Sequence, residues 1–355
     1  MYKEFTVKSS IHDYNVKFVN DFKVTLQEKM SSDDVLILDQ KVYDLYEGSL
    51  RDIIVSDRTI FLEASEKQKS FLSMAPIIEE LLKIGFKKNN RLIAMGGGIT
   101  QDVVAFLSQN MFRGVEWFFF PTTLLAQADS CIGGKSSINF GAYKNQLGNF
   151  YPPNEIYIDM QFLKTLSCLD IRSGLGEMMH FFILSSEANF ELIKAKYIQS
   201  LTDFDSLCEL IFRSLEIKKQ TIEIDEFDQK ERQVFNYGHS FGHALETITN
   251  YQVPHGVAVC HGMDIANYLS VQLGYVDSAF REKVKELLSL NWERGELGEI
   301  NILNFISALK KDKKNIGKEV HVILTRGFGK MFKTSIDIEG ETKDYIQKYL
   351  REEST

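Results

Sequence analysis

Short apolar runs punctuate the first half of the chain. Residues 35–39, 91–95 and 117–120 are rich in branched or aromatic side chains, and each run predicts a strand that is buried on both faces. Helical stretches separate these runs, and strands that alternate with helices are typical of an α/β domain with a largely parallel sheet.

Apolar residues at intervals of three and four predict the helices. Residues 73–86 have this spacing, with Ser73 as a candidate N-cap and Pro76 in the first turn. In the second half of the chain the strand pattern fades and the helical spacing dominates, as in residues 190–197 and 207–222. We therefore expect a helical second half.

The change of pattern predicts two domains, residues 1–168 and 169–355. No internal repeat, low-complexity tract or flexible linker separates them. We expect the two domains to pack tightly, with a cleft between them.

Composition and charge limit the classes of partner. The chain has 355 residues, 44% hydrophobic, with a net charge of -8, which argues against nucleic acid or an anionic membrane as the main partner. Local basic patches can still bind phosphate or carboxylate, so a small anionic metabolite fits. The N-terminus lacks the apolar core of a signal peptide, and no apolar run approaches ~18 residues. The four cysteines form no CxxC pair, so we expect reduced thiols and a cytoplasmic location.

Histidines give the first indication of chemistry. His239 and His243 are four residues apart, on one face of a helix if the segment is helical, and His255 follows Pro254 nearby. With an acid such as Glu177, two histidines form a common catalytic zinc set that leaves a position for substrate. Taken alone, the histidine pair is equally compatible with a capped or core residue.

Glycine turns give the second indication. Gly96-Gly97-Gly98 follows a predicted strand and precedes a probable helix from Thr100, so its amides suit a pyrophosphate, although a tight bend has the same pattern. Gly133-Gly134-Lys135 and Lys144-Asn145 add lysines that suit phosphate or carboxylate oxygens.

Together these motifs resemble 3-dehydroquinate synthases and related sugar-phosphate cyclases, in the same order and spacing, from about Val35 to Phe328. The resemblance implies a Rossmann-like, NAD-binding α/β domain followed by an all-helical metal-binding domain. The segments that carry it, besides those quoted above, are Ile99-Thr100-Gln101-Asp102, Phe112-Arg113-Gly114-Val115, Pro121 to Ser130, Gly174-Leu175-Gly176-Glu177, Asn236 to Glu246 and Asp312-Lys313-Lys314.

Roles of individual residues follow from this resemblance. The zinc (or cobalt) ligands it implies are Glu177, His239 and His255, whereas His243 is assigned to the substrate phosphate and is a candidate proton carrier. The NAD contacts it implies are Asp39, Glu66, Lys69, Gly97, Gly98, Asp102, Thr122, Thr123, Asp129, Lys144 and Thr165. The substrate contacts it implies are Arg113, Asp129, Lys135, Asn145, Lys218, Arg232, Asn236, His243, and one or both of Lys313 and Lys314; position 180 is added as the site of a departure from the family.

The implied reaction starts from a seven-carbon keto-acid sugar phosphate. A ring hydroxyl is oxidised with NAD, phosphate is eliminated, the ketone is reduced by the same NADH, and the opened enolpyruvate closes to a carbocycle. The resemblance also implies a homodimer, because family members lend the residue matching Arg113 to a neighbouring subunit. Asp39 at a strand end favours a ribose hydroxyl, and therefore NAD over NADP.

The chain departs from the family at several positions. His180 stands where family members have Lys, three residues after Glu177, and Asp228 stands where Glu is usual; Lys41 and Gln101 are smaller differences. An imidazole titrates near neutrality, whereas a Lys there is permanently charged. Four interpretations follow: a 3-dehydroquinate synthase with a tolerated variant, a cyclase for an aminated, epimeric or longer substrate, an NAD-linked metal-dependent alcohol dehydrogenase, and a silent binding paralogue.

Overall fold

The computed structural model describes residues 3–141, 143–293, 295–310 and 319–352. Its contacts divide the chain into two compact units, Met1–Ser167 with Lys218–Phe227, and Cys168–Ile217 with Asp228–Thr355. The units differ from the predicted domains, 1–168 and 169–355, chiefly in that Lys218–Phe227 belongs to the first unit. The assignment of residues 1–168 to an NAD-binding domain and of residues 169–355 to a metal- and substrate-binding domain remains a prediction.

The first unit is an α/β unit built on a seven-stranded sheet. Its strands have the order β1-β2-β9-β6-β5-β3-β4, and all neighbours are parallel except β1 and β2. The sheet strands are β1 (Glu4–Val7), β2 (Tyr14–Val19), β3 (Val35–Asp39), β4 (Thr59–Leu62), β5 (Leu92–Gly96), β6 (Trp117–Pro121) and β9 (Glu155–Asp159), and a separate antiparallel pair is formed by β7 (Ile138–Phe140) and β8 (Tyr143–Leu147).

Four helices complete the first unit: α1 (Phe22–Lys29), α2 (Gln40–Leu50), α3 (Phe71–Lys83) and α4 (Gly98–Asn110). The central strand β5 is fully buried, and β3 is buried except at its last residue, Asp39, as their continuous apolar runs predict. Aromatic side chains fill the core beside them, with the rings of Phe120 and Tyr157 stacked 5.0 Å apart. The predicted parallel α/β architecture is confirmed.

The second unit is mainly helical. Its helices are α5 (Cys168–Ser185), α6 (Glu187–Ser200), the first part of α7 (Phe204–Ile224), α8 (His239–Ile248), α9 (His255–Gln272), α10 (Ser278–Leu288), α11 (Ile302–Lys310) and α12 (Glu341–Glu352). It also contains an antiparallel pair, β10 (Glu319–Thr325) and β11 (Met331–Asp337). The predicted helical second half is confirmed, with this unexpected pair added.

The start of α3 corrects one prediction. The cap is Ser70, whose side chain accepts a hydrogen bond from the backbone nitrogen of Ser73, and Pro76 lies beyond the first turn. The amphipathic pattern misplaced the start because Phe71 and Leu72, the first helical residues, are exposed despite being apolar. No described helix is both long enough and apolar enough to span a membrane.

Candidate functional site

Glycine contacts bring three helices of the second unit close together around the predicted metal ligands. An ideal Cβ on Gly256 in α9 would lie 1.8 Å from the carbonyl oxygen of Ser173 in α5. One on Gly262, also in α9, would lie 2.0 Å from the carbonyl oxygen of Gly238, which has a φ of +79° and precedes α8. Because no larger side chain fits at these points, α5, α8 and α9 meet backbone to backbone.

Glu177, His239 and His255 converge in this packing. Glu177 is buried in α5, and the two histidines are the first residues of α8 and α9. Nε2 of His255 lies 3.1 Å from Glu177 Oε1, and Nε2 of His239 lies 3.4 Å from the same oxygen. The three ligand atoms lie within 4.8 Å of one another.

This arrangement fits a divalent metal. Glu177 Oε1 is buried, and no residue that the structure describes gives it a well-aligned hydrogen bond. A buried carboxylate oxygen of this kind needs a partner, and two imidazole nitrogens with one carboxylate oxygen form a standard zinc set. A metal ion would therefore use all three ligand atoms and would give Glu177 Oε1 a partner.

The remaining imidazole nitrogens of the two histidines also face acceptors. Nδ1 of His239 lies 3.2 Å from the carbonyl oxygen of Tyr237, and Nδ1 of His255 lies 3.2 Å from Oε2 of Glu246. Burial lowers the pKa of His255, but the carboxylates of Glu177 and Glu246 outweigh burial and hold that pKa well above its ordinary value. Burial raises the pKa of Glu177, but the two imidazoles outweigh it and hold that pKa well below its ordinary range.

His243 lies one turn beyond His239 and is exposed. Its ring centroid is 5.6 Å from those of both His239 and His255. His243, Glu246 and His255 also form a second group with ligand atoms within 4.8 Å of one another. The structure thus places His243 beside the three candidate ligands, where its ring is accessible.

His180 is fully buried in α5. Its ring centroid lies 5.1 Å from that of His239 in an edge-on arrangement, and 6.2 Å from that of Tyr237 in a stacked one. Phe181 and Phe235 pack against the same ring. His180, at the position where the resemblance implies Lys, therefore packs directly on a candidate metal ligand.

Arg232 and Asn236 lie in the short 3-10 turn Glu231–Asn236, which precedes α8. Arg232 is buried, with 4% of its surface exposed, and the amide of Asn236 donates to the carbonyl oxygen of Gln233 at 2.9 Å. Asp228, the acid four residues before Arg232, has a left-handed φ of +58°. The other predicted substrate contacts of this half, Lys313 and Lys314, lie outside the described residues.

In the first unit, three parallel strands end side by side and present the predicted nucleotide contacts. Leu38 in β3 pairs with Met95 in β5, and Gly96 pairs with Pro121 in β6. The residues that follow, at the carboxyl ends of the strands, are therefore neighbours along one edge. These residues are Asp39, Gly97, Gly98, Thr122 and Thr123.

The turn after β5 is shaped for close approach by a ligand. Gly97 precedes α4 without a side-chain cap, and an ideal Cβ on it would lie 3.0 Å from Thr123 Cγ2. An ideal Cβ on Gly98 meets no described atom within 4 Å. The beginning of α4 is thus open, and its amides are available to an anion such as a pyrophosphate. Asp39 caps α2 through the backbone nitrogen of Lys41, and burial raises its pKa.

Lys69 and Asp102 form a shielded ion pair. Lys69 Nζ lies 2.7 Å from Asp102 Oδ2, and the side chains are only 12% and 15% exposed. Burial raises the pKa of Asp102 to about 6, although Lys69 and the backbone nitrogen of Ser137 oppose this increase. These two predicted nucleotide contacts are therefore brought together.

Asn139 connects two further predicted residues. Its amide nitrogen donates to Glu66 Oε1 at 2.8 Å, and its oxygen accepts from the backbone nitrogen of Asn145 at 2.8 Å. Lys144 and Asn145 lie on the exposed strand β8, and Asn145 has a left-handed φ of +52°. The hairpin that carries them is thus tied to Glu66.

Asp129 lies on a π-helical turn, Ala126–Ser130, and pairs with the buried Lys218. Lys218 Nζ lies 2.8 Å from Asp129 Oδ1 and donates to the carbonyl oxygen of Asp129 at 2.7 Å. Lys135 is exposed, with its ammonium 5.9 Å from the centroid of the Phe150 ring.

Two predicted residues lie elsewhere in the first unit. Arg113 is exposed and has a left-handed φ of +62°, next to Phe112 with a φ of +50°. Thr165 follows β9, and its hydroxyl lies 3.2 Å from that of Tyr46.

Glu246 and Asn139 were not among the predicted site residues. Glu246 has a detectable signal, because it lies three residues after His243 and seven after His239, on the same face of a helix. Asn139 has no such signal in the sequence, because its contacts join segments that are far apart in the chain.

Comparison with known proteins identifies the family of the chain. Residues 59–173 match the model of the 3-dehydroquinate synthase N-terminal region, and residues 174–315 match that of the C-terminal region. The 3-dehydroquinate synthase of Thermoanaerobacter pseudethanolicus is 32% identical over 315 residues, which cover 87% of this chain and 88% of that protein.

Solved structures share the fold. A 2-deoxy-scyllo-inosose synthase complexed with carbaglucose-6-phosphate, NAD+ and Co2+ has a TM-score of 0.82 at 20% identity, covering 99% of this chain and 100% of that one. The 2-epi-5-epi-valiolone synthase of Streptomyces hygroscopicus, with NAD+ and Zn2+ bound, has a TM-score of 0.80 at 24% identity, covering 96% and 97%. From the family matches and the fold, the chain belongs to the 3-dehydroquinate synthase family of lyases.

Proposed function

We propose that this protein is a 3-dehydroquinate synthase, which converts 3-deoxy-arabino-heptulosonate 7-phosphate into 3-dehydroquinate and phosphate with NAD and zinc as cofactors. The observation that carries the proposal is the convergence of Glu177, His239 and His255 around one buried carboxylate oxygen, in a chain of this family. The proposed substrate, a phosphorylated keto-acid sugar, is an anion. Because the chain has a net charge of -8, binding of this anion depends on local cationic residues.

Glu177, His239 and His255 hold the metal in this proposal. A divalent ion there supplies Lewis acidity, which lowers the pKa of a substrate hydroxyl and polarises a carbonyl. Burial of Glu177 keeps its charge from being screened by water, and the Nδ1 contacts hold both imidazoles with Nε2 toward the carboxylate. Zinc and cobalt both suit this donor set, and the two solved cyclases contain Co2+ and Zn2+ respectively.

The strand-end residues of the first unit hold NAD. The cofactor supplies a reversible hydride acceptor, so that the substrate is oxidised and later reduced without net loss of hydride. Gly97 and Gly98 admit the pyrophosphate close to the start of α4, and Asp39 accepts from the adenosine ribose. The other proposed contacts are Glu66, Lys69, Asp102, Thr122, Thr123, Asp129, Lys144 and Thr165.

Cationic and amide side chains bind the substrate anions. We assign its carboxylate to Lys218 and Arg232, since Arg offers a bidentate grip and both side chains are buried. His243 is exposed beside the metal ligands and takes the phosphate. Lys135, Asn145, Asn236 and Asp129 complete the proposed contacts, together with Lys313 or Lys314. Arg113, exposed on a left-handed turn, supports a homodimer in which it serves a neighbouring subunit.

His180 favours a second candidate, a related cyclase acting on an aminated, epimeric or longer sugar phosphate. Its buried ring packs on His239 and offers less positive charge than the family's Lys. A changed charge beside the metal site would change the relative binding free energies of different substrates, and therefore the substrate preference.

The test is a phosphate-release assay with the heptulosonate phosphate, NAD and zinc, followed by identification of the product. We expect repeated turnover, 3-dehydroquinate as product, and no net accumulation of NADH. Phosphate release that occurs only with another sugar phosphate would favour the second candidate. Accumulating NADH would indicate an alcohol dehydrogenase, and cofactor binding without turnover would indicate a silent paralogue. The control is a Glu282→Gln variant, which is changed at an exposed position of α10 and should behave like the wild type in this assay.

A further inference from the structure

We propose that Glu246 is a positioning residue that fixes the proton and the orientation of the His255 imidazole for metal binding. The inference rests on the metal site of the proposed function and is independent of the substrate. Glu246 lies near the end of α8, and His255 begins α9.

The two nitrogens of His255 face two different carboxylates. Nδ1 lies 3.2 Å from Oε2 of Glu246, and Nε2 lies 3.1 Å from Oε1 of Glu177. A neutral imidazole carries one N–H and one lone pair. When the Nδ1–H group donates a hydrogen bond to Glu246, the lone pair of Nε2 points toward Glu177 and is available to a metal. The opposite tautomer would set a lone pair against the Glu246 carboxylate, which is unfavourable.

His239 also has a hydrogen-bond acceptor at Nδ1, but this acceptor is uncharged. Its Nδ1 faces the neutral carbonyl oxygen of Tyr237 at 3.2 Å. Glu246 therefore differs from the partner of the other histidine in adding a full negative charge. A carboxylate in this position makes the imidazole a more basic ligand, and together with Glu177 it balances the charge of a divalent ion.

The surroundings of Glu246 preserve this charge effect. Its side chain is 13% exposed, so water screens the carboxylate less than it would at the surface. Oε2 of this carboxylate lies 3.2 Å from Nδ1 of His255. The carboxylate and the imidazole are thus held together on the side of the ring away from Glu177.

The same atoms would also allow Glu246 to act as a metal ligand itself. His243, Glu246 and His255 form a group whose ligand atoms lie within 4.8 Å of one another. A metal in that group would replace the Nδ1 proton of His255 or compete for this histidine with the first group. The second group includes the exposed His243, whereas the first includes the buried Glu177, and the number of metal ions bound in the experiment below separates the two roles.

The experiment compares zinc binding by the full-length wild type, Glu246→Ala and Glu246→Gln, with Glu282→Gln as a control that removes an equal charge from an exposed helix position. Zinc affinity is measured by competition with a chromophoric chelator. Coordination is measured from the visible absorption of the Co2+ form, and folding from the Tm of the metal-free chain.

We expect Glu246→Ala to weaken zinc binding about 10–100-fold and to change the Co2+ spectrum, while one metal per chain is retained. Glu246→Gln should lose less, because its amide oxygen still accepts the Nδ1 proton, and Glu282→Gln should match the wild type. If Glu246→Ala fails to fold, the nearly isosteric Gln variant decides the question.

Wild-type zinc affinity and an unchanged Co2+ spectrum in the folded variants would overturn the proposal. So would two zinc ions in the wild type and one in Glu246→Ala, because Glu246 would then be a ligand. A wild type that binds no zinc would overturn the metal site of the proposed function, and this inference with it. Zinc bound normally without turnover of any sugar phosphate would contradict only the proposed reaction.

Discussion

Gly176 and Gly256 meet where α5 packs on α9, so closely that an ideal Cβ on Gly176 would lie 2.1 Å from the carbonyl oxygen of Gly256. Glu177 follows the first glycine, and His255 precedes the second. The contact that excludes a side chain therefore also sets Glu177 Oε1 3.1 Å from His255 Nε2. The proposed metal site therefore depends on backbone packing as much as on its proposed ligands.

Replacement of Gly176 by Ala should separate α5 from α9. The added methyl group meets a backbone oxygen, which cannot rotate away, so we expect a loss of about 2 kcal/mol or more in stability and weaker metal retention. The measurements are the Tm and the metal content after dialysis. Gly48→Ala is the control, because an ideal Cβ there meets no described atom within 4 Å. A Gly176→Ala protein with wild-type Tm and metal content would contradict the packing argument.

Gly98→Ala should weaken NAD binding without harming the fold. An ideal Cβ at this position meets no described atom within 4 Å, and Ala favours a helix start over Gly, so the Tm should be kept or raised. The methyl group would occupy the space that a pyrophosphate needs, and we expect about tenfold weaker NAD binding by calorimetry. Unchanged NAD affinity would remove this turn from the cofactor site. Gly48→Ala again serves as the control.

Asp102 should give stability a characteristic dependence on pH. Its pKa is raised by burial from the ordinary 3.8 to about 6, so the folded state favours the protonated carboxyl. Its contribution to stability is full below about pH 4 and is lost as the pH rises through about 6. The Tm of the wild type minus that of Asp102→Asn should therefore fall between pH 4 and pH 7.

The exposed Asp33 offers the control for this prediction, because its side chain is 69% exposed. The corresponding difference for Asp33→Asn should change much less over the same range. A difference for Asp102→Asn that is constant or grows with pH would show that the carboxyl is not destabilised by burial.

His180→Lys tests the departure from the family. If the protein is a 3-dehydroquinate synthase with a tolerated variant, the new charge should keep or raise kcat/KM on the heptulosonate phosphate. His180→Gln, which adds no charge, should give no such gain. The Tm must accompany the kinetics, because an ammonium in this buried aromatic surrounding loses hydration.

If His180 was recruited for another substrate, the Lys variant should lose turnover of that substrate and gain on the heptulosonate phosphate. Wild-type kcat/KM on the heptulosonate phosphate of about 10⁴ M⁻¹s⁻¹ or above would exclude this second interpretation.

The sequence predicts those parts of the fold that depend on local patterns. The buried strands β3, β5 and β6 have continuous apolar runs, and α6 and α7 have helical spacing, so their positions follow directly. The hairpin of β10 and β11 was not predicted, because β11 has few apolar residues and only Ile336 in it is buried.

The candidate site was predictable only in part. The ligand residues followed from spacing and resemblance, whereas the contact of Gly176 with Gly256 depends on tertiary packing that no local pattern encodes. The partnership of Glu246 with His255 joins two helices across a loop, and that of Lys69 with Asp102 joins α4 to a loop before α3. Such pairs are determined by the fold as a whole.

Metal content after exhaustive dialysis, compared between the wild type and His255→Ala, tests the central claim most directly. The account predicts about one divalent ion per wild-type chain and almost none in the variant, since the loss of one of three ligands leaves too few donors. The folded state of the variant is checked by its Tm. Equal metal content in the two folded proteins would contradict the assignment of Glu177, His239 and His255 as the metal site.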